Sequence, residues 1–307
     1  MINRVLIRLK IVQVVYAYYQ NGGKTIDAAE KELMFSLSKA YDLYKTLLLL
    51  IPAVVRYAQE RIEVGRAKLA PTPQDLNPNM KFVRNRFAQQ LQANRQLQDF
   101  AKSGRTWDND GDFVRSLYDS IVGSDIYCEY MSLEGSSYGE DRELWRKLYR
   151  TFIQNNEDLD ALLEDKSLYW NDDKTIVDTF VLKTIKRFDE ANGSDQPLLP
   201  EFKDDEDREF ASRLLRRALI NGESYRKLIS DNIRNWDLDR VAFMDVIIMQ
   251  CAMSELMSFP GIPISVTLNE YVEIAKAYST SKSGAFVNGT LDGIVKVLKN
   301  EGKLLKN

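Results

Sequence analysis

The last third of the chain contains Pro263-Ile-Ser-Val-Thr-Leu-Asn-Glu270, then Glu273-Ile-Ala-Lys276, and then Gly284-Ala-Phe-Val-Asn-Gly-Thr-Leu-Asp292. Apolar residues recur in these stretches at the spacing of amphipathic helices, which predicts helices near residues 267–279 and 284–299. These stretches carry most of the information about fold and function, because no enzyme motif accompanies them elsewhere in the chain.

Polar residues within this block need a structural or functional explanation. Thr267 followed by Glu270 forms a capping-box pattern, so we expect a helix to begin at Thr267. Asn269 and Asn288 compete with helical hydrogen bonding and are therefore expected to have a specific role. Gly289 costs about 1 kcal/mol relative to alanine in a helix, which predicts a close approach of another helix or a bond made by Asn288.

The rest of the chain is also predicted to be helical, without a β-rich window or an internal repeat. A cap at Asp27 and Glu30 should start a long second helix, and Pro52 should kink or interrupt it. The sequence therefore predicts an all-α fold. The remaining predicted helices cover residues 4–20, 27–68, 81–102, 112–132, 139–155, 157–168, 173–191, 204–221, 223–234 and 238–257.

Two proline-containing linkers, residues 70–79 and 192–200, divide the chain. The predicted parts are N-terminal helices over 1–69, a helical insertion of unknown role over 70–200, and a C-terminal helical domain over 201–307.

Composition excludes several classes of function. The net charge of −3 and the pI near 5.4 argue against indiscriminate nucleic-acid binding but allow a local basic patch. The absence of histidine removes the commonest general base and metal ligand, and Cys128 and Cys251 cannot form a four-thiolate zinc site. We therefore expect neither catalysis nor a cofactor nor a metal. Both thiols lie in apolar helical patterns, and no signal peptide or membrane span is visible, so we expect a cytoplasmic protein.

Two segments offer contacts for RNA. Arg4 and Arg8 share a face of the first helix with Tyr18 and Tyr19, and arginines beside aromatic rings suit single-stranded RNA. The alternative is that the arginines form the exposed edge of the helix. At the start of the last helix, free backbone N–H groups beside Lys282 could hold a phosphate, or Ser283 could be an ordinary N-cap.

Taken in order, these residues resemble the NusB family of bacterial transcription antitermination factors. The first helix adds Arg4, Arg8 and Gln13-Val-Val-Tyr16 to the resemblance, which covers about 110 residues at the two ends of the chain. The matching residues in the last third are Trp236-Asp-Leu-Asp-Arg240, Asp245, Glu255-Leu256, Pro263, Val266, Asn269-Glu270, Glu273, Ala275-Lys276, Phe286-Val-Asn-Gly289 and Leu291-Asp292.

The resemblance implies a NusB-like helical bundle of two packed subdomains, here with an additional helical insertion. It also implies binding of boxA-type single-stranded RNA together with NusE, a small-subunit ribosomal protein, within the RNA polymerase antitermination complex that supports processive transcription of rRNA operons. The residues expected to face RNA are Arg4, Arg8, Lys10, Tyr16, Lys282, Ser283 and Phe286. Those expected to support the fold are Trp236, Arg240, Glu255, Asn269, Glu270 and Asn288, and Asp245 could do the same.

The chain departs from the family pattern at several positions. Few basic residues precede the first helix, Lys282 stands where an Asp is common, and Gly284-Ala285 replace a common His-Lys. The chain is also about twice the usual length. Two alternatives are therefore a NusB-like protein-interaction scaffold in ribosome assembly and an RNA methyltransferase with a NusB-like domain. The methyltransferase alternative lacks a Gly-rich cofactor loop and a catalytic Cys motif.

Overall fold

The computed structural model describes residues 1–23, 25–233 and 241–304. These residues are helical, with an isolated parallel bridge between Ile2 and Phe202 and no strand among them. The predicted all-α class is therefore confirmed.

The helices, in chain order, are α1 (Arg4–Gln20), α2 (Ile26–Arg66), α3 (Pro73–Leu76), α4 (Arg86–Ala93), α5 (Arg95–Ala101), α6 (Gly111–Val122), α7 (Asp125–Ser132), α8 (Tyr138–Leu148), α9 (Glu157–Lys166), α10 (Lys174–Arg187), α11 (Asp205–Ile220), α12 (Gly222–Asn232), α13 (Phe243–Ser258), α14 (Ile264–Tyr278) and α15 (Ser283–Asn300). A π-helical turn (Tyr149–Ile153) follows α8, and a 3-10 helix (Glu190–Asp195) follows α10.

The chain forms two compact units. The middle unit consists of Met1 and Lys39–Pro200, and the terminal unit consists of Ile2–Ser38 and Glu201–Asn307. Helix α2 begins in the terminal unit and ends in the middle unit. The three-part division predicted from the linkers stays a prediction.

The terminal unit is built around α13. This helix is buried on nearly every side, as an all-round apolar helix must be, and α1, α11, α12, α14 and α15 pack against it. Helix α1 begins where the Asn3 side chain accepts a hydrogen bond from the N–H of Leu6 at 2.9 Å. It ends before Gly22 and Gly23, whose φ angles of 74° and 75° favour glycine.

Helix α2 differs from its prediction in two ways. Its cap lies at Thr25, whose hydroxyl accepts a hydrogen bond from the N–H of Ala28 at 3.2 Å, and Asp27 lies within the first turn. Pro52 lies inside a helix that is not interrupted. Pro52 and its neighbours are buried, so packing outweighs the roughly 3 kcal/mol that an interior proline costs.

Side-chain caps divide two of the long helices predicted in the middle unit. The Asn94 side chain accepts a hydrogen bond from the N–H of Leu97 at 3.2 Å, which separates α4 from α5. The Ser124 hydroxyl likewise accepts from the N–H of Tyr127 at 3.2 Å and starts α7. The predicted helices at 81–102 and 112–132 are therefore each two helices. A short helix, α3, also lies within the predicted linker at 70–79.

Candidate functional site

An ion pair fixes α1 to α13 in the core of the terminal unit. The Arg8 Nε donates to Glu255 Oε2 at 2.7 Å, and Nη2 donates to Oε1 at 2.9 Å. Glu255 is fully buried and Arg8 is 3% exposed. Two groups of α14 also donate to this carboxylate, the Thr267 hydroxyl at 2.8 Å and the Tyr271 hydroxyl at 3.4 Å.

The charge states of this cluster follow from burial and from the carboxylate. Burial lowers the pKa of the Arg8 guanidinium, but the hydrogen bond and the charge of Glu255 outweigh it, so the pKa is raised. Burial, followed by the Glu255 charge, raises the pKa of the Tyr271 hydroxyl well above its usual range. Arg8 is therefore a charged group that joins two helices.

This geometry corrects the predicted role of two cations. Arg8 and Lys10 were expected to face RNA, but the structure buries both, with Lys10 only 2% exposed. A side chain enclosed in this way does not present its charge to a phosphate.

The capping box predicted at Thr267 is also wrong. Helix α14 begins earlier, at Ile264, and the Thr267 hydroxyl is used by Glu255. Glu270 lies on the outer side of the same cluster, with its Oε2 3.6 Å from the Nη1 of Arg8.

Arg4 lies one turn before Arg8 and is partly open to solvent. Its side chain is 40% exposed, and its Nε donates to Asp207 Oδ1 at 3.1 Å. The Nη2 lies 3.9 Å from Glu206 Oε2, and the guanidinium carbon lies 5.0 Å from the centre of the Phe210 ring. Arg4 is thus held at the surface by α11.

The second half of α1 carries aromatic rings. Tyr16 is half-buried, and its ring centre lies 5.5 Å from that of Phe243. The Tyr19 ring lies 6.5 Å from Phe243 and 4.0 Å from the guanidinium carbon of Arg226. Sequence reasoning missed Phe243 and Arg226, because their spacing along the chain gives no sign that they approach α1.

Gly222 has a steric role that the sequence analysis did not assign. A Cβ at this position would overlap the Tyr19 hydroxyl and would lie 2.8 Å from the Gln250 Nε2. The Gln250 Nε2 in turn donates to the Tyr19 hydroxyl at 3.0 Å. A larger residue at position 222 would therefore require the Tyr19 and Gln250 side chains to move.

The start of α15 does not use Ser283 as a phosphate ligand or as an N-cap. Ser283 is 1% exposed, and its hydroxyl donates to Asp245 Oδ2 at 2.8 Å. It also accepts a hydrogen bond from the N–H of Thr280 at 3.1 Å. Lys282 is exposed and Phe286 is half-buried, so these two predicted RNA contacts remain accessible.

Replacing Ser283 by alanine is expected to destabilise the protein by about 1–3 kcal/mol, because it leaves the Asp245 carboxylate without a buried donor. Chemical denaturation measures this change, and the exposed neighbour Ser281→Ala is the matched control. Stability equal to that of the unaltered protein would show that the bond to Asp245 does not contribute.

The predicted roles of the two asparagines find no support in the packing. Asn269 and Asn288 are both exposed, so neither side chain lies in a buried contact between helices. A Cβ at Gly289 would meet nothing within 4 Å. The close approach lies at Gly284 instead, where a Cβ would be 2.7 Å from Lys276 Cγ.

The remaining chemistry of the described residues is limited. Among them, no group of three or more His, Cys, Asp or Glu side chains could hold a metal ion. None of the helices within these residues is long and apolar enough to cross a membrane. Cys128 is exposed, contrary to expectation, whereas Cys251 is buried and burial raises the pKa of its thiol.

Comparison with known proteins identifies the family. The NusB family model matches residues 175–296. The transcription antitermination protein NusB of Salinibacter ruber (strain DSM 13855 / M31) is 35% identical over 132 residues, which are 41% of this chain and 82% of the relative. The chain belongs to the NusB family.

Other NusB proteins match in the same way. Geotalea daltonii NusB is 36% identical over 138 residues, covering 44% of this chain and 91% of the relative. Geobacter sulfurreducens NusB is 37% identical over 127 residues, which are 39% of this chain and 92% of the relative. The solved structure of T. maritima NusB aligns at 36% identity over 38% of this chain and 72% of that chain, with a TM-score of 0.29.

The NusB match places part of the site within family residues. Glu255, Thr267 and Ser283 lie inside the matched range, whereas α1 lies outside it. Trp236 and Arg240 also lie inside that range, but they are outside the residues that the structure describes.

Proposed function

We propose that this NusB-family protein is a non-enzymatic transcription antitermination factor of the bacterial cytoplasm. In this proposal it binds boxA-type single-stranded RNA together with NusE and acts in the RNA polymerase antitermination complex on rRNA operons. The observation that carries the proposal is the match over 82–92% of three relatives named transcription antitermination protein NusB.

The accessible part of the predicted RNA surface supports this function. Arg4 and Lys282 provide cations that are open to solvent, and Tyr16 and Phe286 provide half-buried rings. Cations match phosphates and rings can stack on unpaired bases, which is the combination that single-stranded RNA needs. In this proposal, Arg8 and Ser283 support the surface from within.

The double variant Arg4→Gln/Lys282→Gln tests the proposal. Affinity falls as salt rises, and each lost phosphate contact makes the slope of log affinity against log salt less steep by about 0.7 for single strands. For the two lost contacts we therefore expect a slope that is less steep by about 1.4. The measurement is binding of a boxA-type RNA, with and without NusE, over a range of salt concentrations.

The matched control is Lys296→Gln on α15, which removes an exposed cation paired with Asp292 at 2.7 Å and should leave the slope unchanged. If the unaltered protein binds neither the RNA alone nor the RNA with NusE at low salt, the proposed function is wrong.

A second candidate is a NusB-like scaffold in ribosome assembly that does not contact RNA directly. It is favoured by the ion pairs of α1, because arginines that contact carboxylates are less available to phosphates. Arg4 contacts Asp207 and Glu206, and Arg8 contacts Glu255. Capture of ribosomal proteins that survives nuclease treatment, with no RNA binding by the purified protein, would select the scaffold.

A further inference from the structure

Three cations of the middle unit surround one carboxylate. The Asp42 Oδ1 lies 3.1 Å from Arg105 Nη1 and 3.5 Å from Lys45 Nζ, and the Oδ2 lies 3.6 Å from Lys39 Nζ. The Asp42 side chain is 12% exposed, whereas that of Arg105 is 44% exposed. Lys39, Asp42, Lys45 and Arg105, called here the Asp42 cluster, therefore carry more positive than negative charge.

Aromatic rings hold two of these cations in position. The Lys45 Nζ lies 4.4 Å from the centre of the Tyr41 ring and 4.3 Å from that of Phe100. The guanidinium carbon of Arg105 lies 5.1 Å from the Phe100 ring centre. Ring faces attract cations, so these side chains are ordered before any ligand arrives and less entropy is lost on binding.

The middle unit also has a groove whose lining residues are close in sequence to the Asp42 cluster. It has a volume of about 150 Å³, and its lining residues include Leu49, one turn after Lys45, and Thr106, next to Arg105. Gln92 and Gln98 also line it. Side-chain amides can donate to and accept from the edges of unpaired bases.

The position of these residues in the chain also favours an anionic partner. The segment from Lys39 to Arg105 contains more Lys and Arg than Asp and Glu, although the whole chain has a net charge of −3. In the terminal unit, burial of Arg8 and Lys10 leaves fewer exposed cations on α1 than the family resemblance implies. The middle unit therefore carries cations that α1 does not offer.

We propose that the Asp42 cluster binds backbone phosphates of single-stranded RNA that flanks the boxA-type element, with bases entering the groove lined by Gln92 and Gln98. This inference rests on the proposed RNA-binding function and assigns a ligand to a part of the chain outside α1 and α15. The RNA contact here is electrostatic and independent of the flanking sequence.

The double variant Lys45→Gln/Arg105→Gln tests the inference with two RNAs. One RNA contains only the boxA-type element, and the other contains the same element with single-stranded extensions at both ends. For the extended RNA we expect the slope of log affinity against log salt to be less steep by about 1.4. We also expect its affinity to be roughly 10- to 30-fold weaker at about 0.1 M salt. Affinity for the short RNA should not change.

The substitution Asp42→Asn makes the Asp42 cluster more positive, whereas Lys45→Gln/Arg105→Gln makes it less positive. It removes the negative charge while keeping the size of the side chain, so binding of the extended RNA should become tighter. A merely structural cluster would not produce this gain. Arg146→Gln/Lys147→Gln on α8, where Arg146 is paired with Glu143, is the control for loss of two cations and should leave the difference between the two RNAs unchanged.

The outcomes separate the inference from the function on which it rests. If the unaltered protein binds neither RNA, both are overturned. If it binds both RNAs but Lys45→Gln/Arg105→Gln binds the extended RNA equally well, only the inference is overturned. If the double variant does not fold, Asp42→Asn decides, since unchanged or weaker binding of the extended RNA also overturns the inference.

Discussion

Replacing Glu255 by alanine is expected to lower the free energy of unfolding of the terminal unit by about 3–5 kcal/mol. The substitution removes both acceptors of the Arg8 guanidinium, which is 3% exposed and has little access to water. It also removes the acceptor of the Thr267 hydroxyl. Arg8 keeps only the weaker pair with the partly exposed Glu270, 3.6 Å from its Nη1. A buried charge that loses its hydrogen-bonded partner costs far more than the ion pair itself contributes, and the size of the effect follows from that difference.

Denaturant titration followed by circular dichroism measures the loss. The control is Glu273→Ala, which removes an exposed carboxylate of α14 paired with Lys276 at 2.6 Å. Exposed pairs contribute about 0–1 kcal/mol, so the control should differ little from the unaltered protein.

The double substitution Arg8→Met/Glu255→Leu decides whether the unpaired charge causes the loss. Removing both charged groups together leaves no uncompensated ion, so most of the stability lost in Glu255→Ala should return. If the double variant is as unstable as the single one, packing of the Glu255 side chain rather than its charge maintains this site.

The terminal unit shows why helices could be predicted from the sequence while contacts of single side chains could not. Periodic apolar residues predict α1 and α11 with bounds that agree with the structure within one residue. Arg8 has the same local pattern as an exposed arginine. Its partner lies 247 residues away in the chain, so a local pattern contains no information about their contact.

The middle unit shows why some helix bounds could not be predicted from the sequence. The apolar periodicity continues through Asn94 and Ser124, yet Asn94 ends α4 and caps α5, and Ser124 caps α7 after α6 has ended at Val122. The Asn94 Nδ2 also donates to the carbonyl of Gln196 at 2.7 Å, a bond that only the tertiary fold makes available. At Pro52 the interruption allowed by local chemistry does not occur, because burial supports a helix that continues through the proline.

In the middle unit, Lys174→Met is expected to cost about 3–5 kcal/mol at neutral pH. The Lys174 Nζ lies 3.1 Å from Asp178 Oδ2 and donates to the carbonyls of Ile153 and Gln154 at 3.2 Å and 2.6 Å. Asp178 is 1% exposed, and its other oxygen accepts from the Tyr149 hydroxyl at 2.5 Å. Methionine fills the space but leaves this buried carboxylate without a cation.

The loss should depend on pH with a definite sign. Burial raises the pKa of Asp178 in the folded protein, and the charge of Lys174 opposes that rise. Without Lys174 the folded-state pKa rises further, so the folded protein binds a proton more tightly than the unfolded chain. Stability then falls as pH rises from the unfolded pKa, about 3.9, to the folded pKa, and it is constant above that window. Acidification through the window should therefore reduce the difference between Lys174→Met and the unaltered protein.

Unfolding measured at a series of pH values checks this expectation, with Asp178→Asn added to Lys174→Met as the matched control. Asparagine removes the titrating group and keeps a hydrogen-bond acceptor for Tyr149, so part of the stability should return at neutral pH. The pH dependence specific to Lys174→Met should also disappear. A loss in Lys174→Met that is the same at every pH would mean that the missing bonds to Ile153 and Gln154, rather than the Asp178 charge, destabilise the variant.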